Sequence, residues 1–169
     1  MVPINPDMKK HLPIKPHKQK PSYCGPACLK MLFAHQGIHE TQKTIGAIAG
    51  TTFERGTSLA GMRQAAEHFG FVLKHKDKSG FADIERLLAQ GIAPIVDWFL
   101  ETEGHYSVVV GLDEKYIYLQ DPYIGKKRRI DRKTFYGVWF DFPGDFIKDP
   151  NQMYLRRLMY LQKKKTPSA

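Results

Sequence analysis

Cys24 stands where a cysteine can serve as a nucleophile. The stretch Pro21-Ser22-Tyr23-Cys24-Gly25-Pro26-Ala27-Cys28-Leu29 reads as a loop running into a helix. Gly25 leaves room for a tight backbone, and Pro26 suits a first helical turn, where its missing amide hydrogen would have no partner. The following residues to His35 are good helix formers with a mostly apolar face. Cys24 therefore falls at or just before a helix N-terminus. Free amide hydrogens and the positive end of the helix dipole favour a thiolate there, and a thiolate is the reactive nucleophile. A lone cysteine is more often packing than chemistry, so its partners decide.

A base and an orienter lie downstream. Glu103-Gly104-His105-Tyr106-Ser107-Val108-Val109-Val110-Gly111 opens a β-branched, apolar strand with a histidine near its start. Lys115-Tyr116-Ile117-Tyr118-Leu119-Gln120-Asp121-Pro122 is an alternating strand that ends on Asp121 before a proline. An antiparallel turn about Leu112-Asp113-Glu114-Lys115 brings His105 and Asp121 to one sheet edge. A carboxylate on one ring nitrogen fixes the tautomer, and the other nitrogen then faces the thiol. Taken alone, His105 reads as a surface strand-end residue and Asp121 as a turn former. With Cys24 they read as a Cys-His-Asp triad.

An ordered set of motifs surrounds these three. Gln19 precedes Cys24-Gly25-Pro26-Ala27-Cys28-Leu29; then come Gly56-Thr57-Ser58-Leu59, Pro94-Ile95-Val96, Gly104-His105-Tyr106-Ser107-Val108-Val109, Asp121-Pro122 with Gly125, and Phe135 with Trp139. Over about residues 14 to 142 this order resembles the papain-like cysteine peptidase family that removes double-glycine leader peptides from bacteriocins. The resemblance implies Cys24 as nucleophile, His105 as general base, Asp121 as its orienter and Gln19 as a donor to the oxyanion. Two positions depart from the family pattern. Tyr23 stands where an acidic residue is common, and Gln19 lies five residues before the cysteine where six is frequent. The best-known members are N-terminal domains of ATP-driven exporters. This chain has no membrane span and no Walker-type phosphate loop, so a leader-peptide substrate does not follow from the resemblance, and a separate exporter partner stays unidentified.

Composition sets the bounds. A chain of 169 residues, 42% hydrophobic and 12% aromatic, suits one globular domain with a real core. The expected plan is a flexible basic arm over residues 1–11, a single papain-like domain over 12–162, and a disordered basic tail over 163–169. Cys24 and Cys28 are the only 2 cysteines. Four apart near one helix, they make a poor disulfide and read as reduced thiols, with Cys28 a small core residue. No second cysteine pair or spaced histidine pair suggests a metal site, and no cofactor is expected. The N-terminal stretch lacks an apolar run long enough for a signal peptide, so a cytoplasmic protein is expected. The net charge of +9 gathers in Lys126-Lys127-Arg128-Arg129, in Lys163-Lys164-Lys165 and in the N-terminal arm. This reads first as a solvated basic surface. No stacking motif or recognition helix supports a nucleic-acid binder.

The predicted elements give an α+β fold, with a helical N-terminal half packed on an antiparallel sheet from the C-terminal half. His11-Leu12-Pro13-Ile14 is expected as a short edge strand. Helices are expected to His35, over Glu40 to Ala49 with Thr41 as a cap, over Leu59 to Phe69 capped by Thr57 or Ser58, over Phe81 to Gln90, and after Asp131. Strands are expected at Phe71 to Lys76 and Ala93 to Phe99, followed by the two that carry His105 and Asp121. Met153 to Gln162 fits neither the helical nor the strand period. The cleft lies between the halves, with Trp98, Phe53 and Tyr123 as candidates to line it. The expected function is hydrolysis of a peptide bond in a peptide or protein substrate through a thioester acyl-enzyme, with a leader or glycine-rich peptide as one candidate. Two alternatives remain at this stage: a catalytically inactive peptide-binding domain of the same fold, and a thiol acyltransferase or deamidase.

Overall fold

The computed structural model describes residues 11–167. Apart from His11, the expected basic arm lies outside the described residues. Three helices come first: α1 (Cys24–His35), α2 (Gln42–Ala49) and α3 (Leu59–His68). Their ends follow local chemistry. The Thr41 hydroxyl accepts from the Thr44 amide at the start of α2, and the Ser58 hydroxyl accepts from the Gly61 amide at the start of α3. Then come β1 (Phe71–Lys76), α4 (Phe81–Ala89), β2 (Ile95–Leu100), β3 (Glu103–Leu112), β4 (Tyr116–Asp121), β5 (Lys126–Asp131) and α5 (Arg132–Val138). The Asp131 carboxylate caps α5 by accepting from the Lys133 and Thr134 amides. Two short strands, β6 (Phe140–Asp141) and β7 (Tyr154–Leu155), form a small ribbon, and β8 (Arg157–Lys163) ends the fold.

Six strands make one antiparallel sheet in the order β1-β8-β2-β3-β4-β5. Alternate residues feed two cores. On one face Ile95, Tyr106, Val108 and Met159 pack with Leu29, Phe33 and Ile45 from the N-terminal helices. On the other, Val96, Val109 and Leu158 pack with Ile84 and Leu87 from α4 and Phe135 from α5. The expected antiparallel sheet is present, but helices cover both of its faces, not only the side of the N-terminal half.

Three further expectations change. Residues 11–14 form no strand. Leu12 donates one backbone bond to Val110 at 2.8 Å, but Pro13 has no amide hydrogen to continue a ladder. The ambiguous Met153–Gln162 region contains β8, which lies between β1 and β2. Leu158 enters one core and Met159 the other, so a strand buried on both faces shows no polar alternation. The domain also reaches past residue 162. Lys163 pairs with Phe71, and Lys164 donates its amide to the Gly70 carbonyl and its ammonium to Glu67, so these two residues do not belong to a disordered tail.

Candidate active site

Cys24 is the first residue of α1 and is half-buried. Tyr23, the residue before it, makes no side-chain cap bond, so no capping side chain claims the amides at this helix end. The turn into α1 is held from outside. Ser22 adopts a left-handed conformation (φ 63°), and its hydroxyl donates to the Phe53 carbonyl at 2.6 Å. Gly25 explains part of the Gly56-Thr57-Ser58 motif. A Cβ at Gly25 would lie 2.9 Å from the side chains of Thr57 and Met62, so glycine lets α1 and the start of α3 meet beside Cys24. Cys28, one turn on, is fully buried, and desolvation pushes its thiol pKa well up. It is a core residue, as expected.

The β3–β4 hairpin brings His105 and Asp121 together. His105 is only 5% exposed, and its Nε2 donates to Asp121 Oδ1 at 2.7 Å. That leaves Nδ1 as the free ring nitrogen, and Cys24 is near enough to help raise the imidazole's pKa. Burial alone would lower the His105 pKa. The bonds to Asp121 and Cys24, with the charges of both, outweigh it and raise the value from 6.5 to about 9. Burial pushes the Asp121 carboxyl the other way, upward. His105, Arg128 and the Tyr123 amide outweigh that and hold it below its ordinary value. Asp121 therefore has a full set of donors: His105 and the Tyr123 amide (3.0 Å) on Oδ1, and the Arg128 guanidinium on Oδ2 at 2.6 Å.

Gln19 lies beside this hairpin end. Its amide donates to the Pro122 carbonyl at 2.9 Å, one residue past Asp121. Its side-chain nitrogen meets the Lys20 carbonyl at 3.3 Å, while Oε1 is buried without a donor. Trp98 pairs with His105 across β2 and β3 and packs edge-on to its ring, with centroids 5.8 Å apart. It is 3% exposed and donates to Ser107 Oγ at 3.0 Å. Trp98 thus supports His105 from the core and has almost no surface to line a cleft, contrary to expectation. Tyr123, half-exposed, stands edge-on to His105 with centroids 6.2 Å apart. Phe53 is 73% exposed on the loop that holds Ser22.

Sequence reading missed three residues here. Arg128 appeared only as part of a basic run. Asp97 on β2 and Asp141 on β6 carried no local signal, yet burial pushes both carboxyls up, and each acts on the other. Among the described residues, no group of three His, Cys, Asp or Glu side chains could hold a metal ion. No helix among them is long and apolar enough to cross a membrane.

This architecture is that of a papain-like cysteine peptidase domain, a helical layer and an antiparallel sheet meeting at a cysteine-bearing helix end. Residues 15–142 match the peptidase C39 family, and the chain belongs to it. The lactococcin transport/processing ATP-binding protein LcnC-like of Lactococcus lactis is 29% identical over 119 residues, which is 69% of this chain and 16% of that protein. The chain thus spans about a sixth of the transport protein's length. An uncharacterised protein of Methanothermobacter marburgensis is 32% identical over 117 residues, 68% of this chain and 77% of its own length. Among solved structures, the peptidase domain of Streptococcus ComA superposes with a TM-score of 0.69 at 19% identity, covering 90% of this chain and 99% of that one. A C39-like peptidase from Bacillus anthracis superposes at 0.68 and 15% identity, covering 90% and 96%. A double-glycine-motif protease solved with its leader peptide gives 0.66 and 18%, covering 92% and 96%.

Proposed function

We propose that this chain is a cysteine peptidase that cleaves a peptide bond through Cys24, His105 and Asp121. The observation that carries the reading is the buried imidazole held between the Asp121 carboxylate and Cys24. In the reaction His105 takes the Cys24 proton on Nδ1, and the thiolate attacks the scissile carbonyl. The Gln19 side chain and the Cys24 amide stabilise the oxyanion; losing one such donor costs about 3 kcal/mol in the transition state. The His105 imidazolium then protonates the leaving amine. The thioester carbonyl is attacked by water, whose proton passes to His105, and the freed acid leaves Cys24 as a thiolate. Asp121 holds the tautomer throughout, and Arg128 holds Asp121.

The proposed substrate is a leader peptide or other glycine-rich peptide, a reading supported by the peptidase named in complex with its leader peptide among the structural relatives. Acid-quenched intact-mass analysis with a glycine-rich peptide library tests the reaction. The expected result is a thioester adduct on Cys24 and a carboxylate product, both absent in Cys24→Ala. No adduct and no cleavage would overturn the reading. Rapid cleavage after bulky residues would overturn the glycine-rich substrate alone.

A further inference from the structure

The backbone groups on either side of Gln19 end on one buried side chain, that of Gln42. This glutamine is the first residue of α2, set there by the Thr41 cap. Its Oε1 accepts from the Lys20 amide at 2.9 Å, and its Nε2 donates to the Lys18 carbonyl at 3.1 Å. One side-chain amide thus bridges residues 18 and 20 as a residue of a paired strand would. The two bonds also fix which end of the amide is nitrogen, since a flipped amide would set oxygen against oxygen and N–H against N–H. The second Nε2 hydrogen goes to His17 Nε2 at 2.9 Å, so that ring nitrogen accepts and the imidazole proton sits on Nδ1. From the opposite side the Gln19 amide donates to the Pro122 carbonyl at 2.9 Å. Residues 18–20 are therefore pinned between α2 and the chain just past β4.

The pinned segment leads straight into Cys24. The Tyr23 amide donates to the Lys20 carbonyl at 3.0 Å, closing the turn from which α1 starts. Gln19 keeps an uncommitted side chain: Nε2 makes one contact, at 3.3 Å, and Oε1 has no donor among the described residues. Such a group can serve a developing charge only if its backbone stays in place, because a displacement of about 1 Å can cost on the order of a hundredfold in rate. We propose that Gln42 is a positioning residue, holding residues 18–20 so that Gln19 presents its amide nitrogen to the oxyanion. It acts through Gln19, not on the reacting atoms. The inference deepens the peptidase reading and rests on it, since that reading makes Gln19 the oxyanion donor. Nothing local in the chain marks Gln42, which lies 22 residues from Lys20.

Gln42→Met keeps the length of the side chain and removes its bonds. In the full chain, hydrogen exchange at the Lys20 amide should speed up about tenfold or more, because its acceptor is gone. With glycine-rich peptides, kcat should fall about tenfold to a hundredfold while KM stays nearly unchanged. In a Gln19→Ala background the same substitution should lower kcat less than about twofold, since the donor it positions is already absent. Alkylation of Cys24 by iodoacetamide, which develops no oxyanion, should run at the native rate and so report an intact fold and thiol. Gln42→Glu keeps the acceptor for Lys20 without the donors and should fall between the native chain and Gln42→Met; it carries the comparison if the methionine variant does not fold. Unchanged exchange, or an equal loss of kcat with and without Gln19, overturns the proposal. Alkylation slowed in step with kcat would make Gln42 merely structural. A native chain that forms no acyl-enzyme removes the peptidase reading and this inference with it. A native chain that turns over while Gln42→Met keeps pace removes this inference alone.

Discussion

His105 receives support from two sides, and each side can be removed separately. Cys24 contributes both a hydrogen bond and a charge to the raised His105 pKa. In Cys24→Ser the ring keeps Asp121 but loses the sulfur that helps raise its pKa. NMR titration of the imidazole should then give a value clearly below the native value of about 9. An unchanged titration would mean that Cys24 and His105 do not act as a pair. The other side runs through Arg128, which donates to Asp121 Oδ2 at 2.6 Å. A hydrogen bond to a charged group contributes about 1.5–3 kcal/mol. Arg128→Ala should therefore lower kcat/KM about tenfold or more and shift its pH profile, while Arg128→Lys restores part of both. A fall in activity with an unmoved profile would make Arg128 merely structural. The three residues of the proposed triad were legible in sequence because each sits at a local boundary: a helix start, a strand start, and a strand end before proline. Arg128 was not, because it lies across the β4–β5 ladder from Leu119 and reaches diagonally to Asp121. Asp97 and Asp141 were not, because they meet through separate strands 44 residues apart in the chain.

Helix contacts on the Cys24 side of the molecule depend on glycine. Gly61, in the first turn of α3, faces the Ala49 carbonyl at the end of α2 so closely that a Cβ would collide with it. The obstacle is backbone, so relief requires one helix to move. Gly61→Ala should destabilise the fold by about 1–3 kcal/mol in denaturant unfolding. Gly137 in α5 is the control: a Cβ there meets nothing within 4 Å. Gly137→Ala should stabilise by roughly 0.5–1 kcal/mol, the ordinary helical gain of alanine over glycine. Equal effects at the two positions would refute the packing argument. Helix caps could be read from sequence because Thr41, Ser58 and Asp131 act on their own next turn. Which sheet face a helix covers could not. α4 and α5 reach the back face only because β2, β3, β4 and β8 present Val96, Val109, Ile117 and Leu158 there, an outcome of strand order.

At the scale of the whole molecule, the His105–Asp121 pair ties stability to pH, since it joins two central strands behind the cleft. His105 has its pKa raised on folding from 6.5 to about 9. Its contribution is therefore fully present below pH 6.5 and is lost as pH rises through about 9. The shift corresponds to about 3 kcal/mol, and at 5% exposure little of that is screened away. Asp121 has the opposite sign. Its carboxyl is lowered from 3.8, so its contribution is present above that value and is lost as pH falls through the lower folded one. The two describe one ion pair and are not added. The background charge of +9 also changes with pH, so the comparison must be differential. The stability difference between the native chain and His105→Gln should be flat between about pH 4.5 and 6 and shrink by about 3 kcal/mol toward pH 10. In a Cys24→Ser background the same difference should shrink less, because the Cys24 side chain that helps raise the His105 pKa is gone. A difference that stays constant across this range would show that the imidazole is not charged in the folded protein. A shrinkage independent of Cys24 would leave Asp121 as the sole partner and remove the Cys24–His105 pairing on which the proposed chemistry depends.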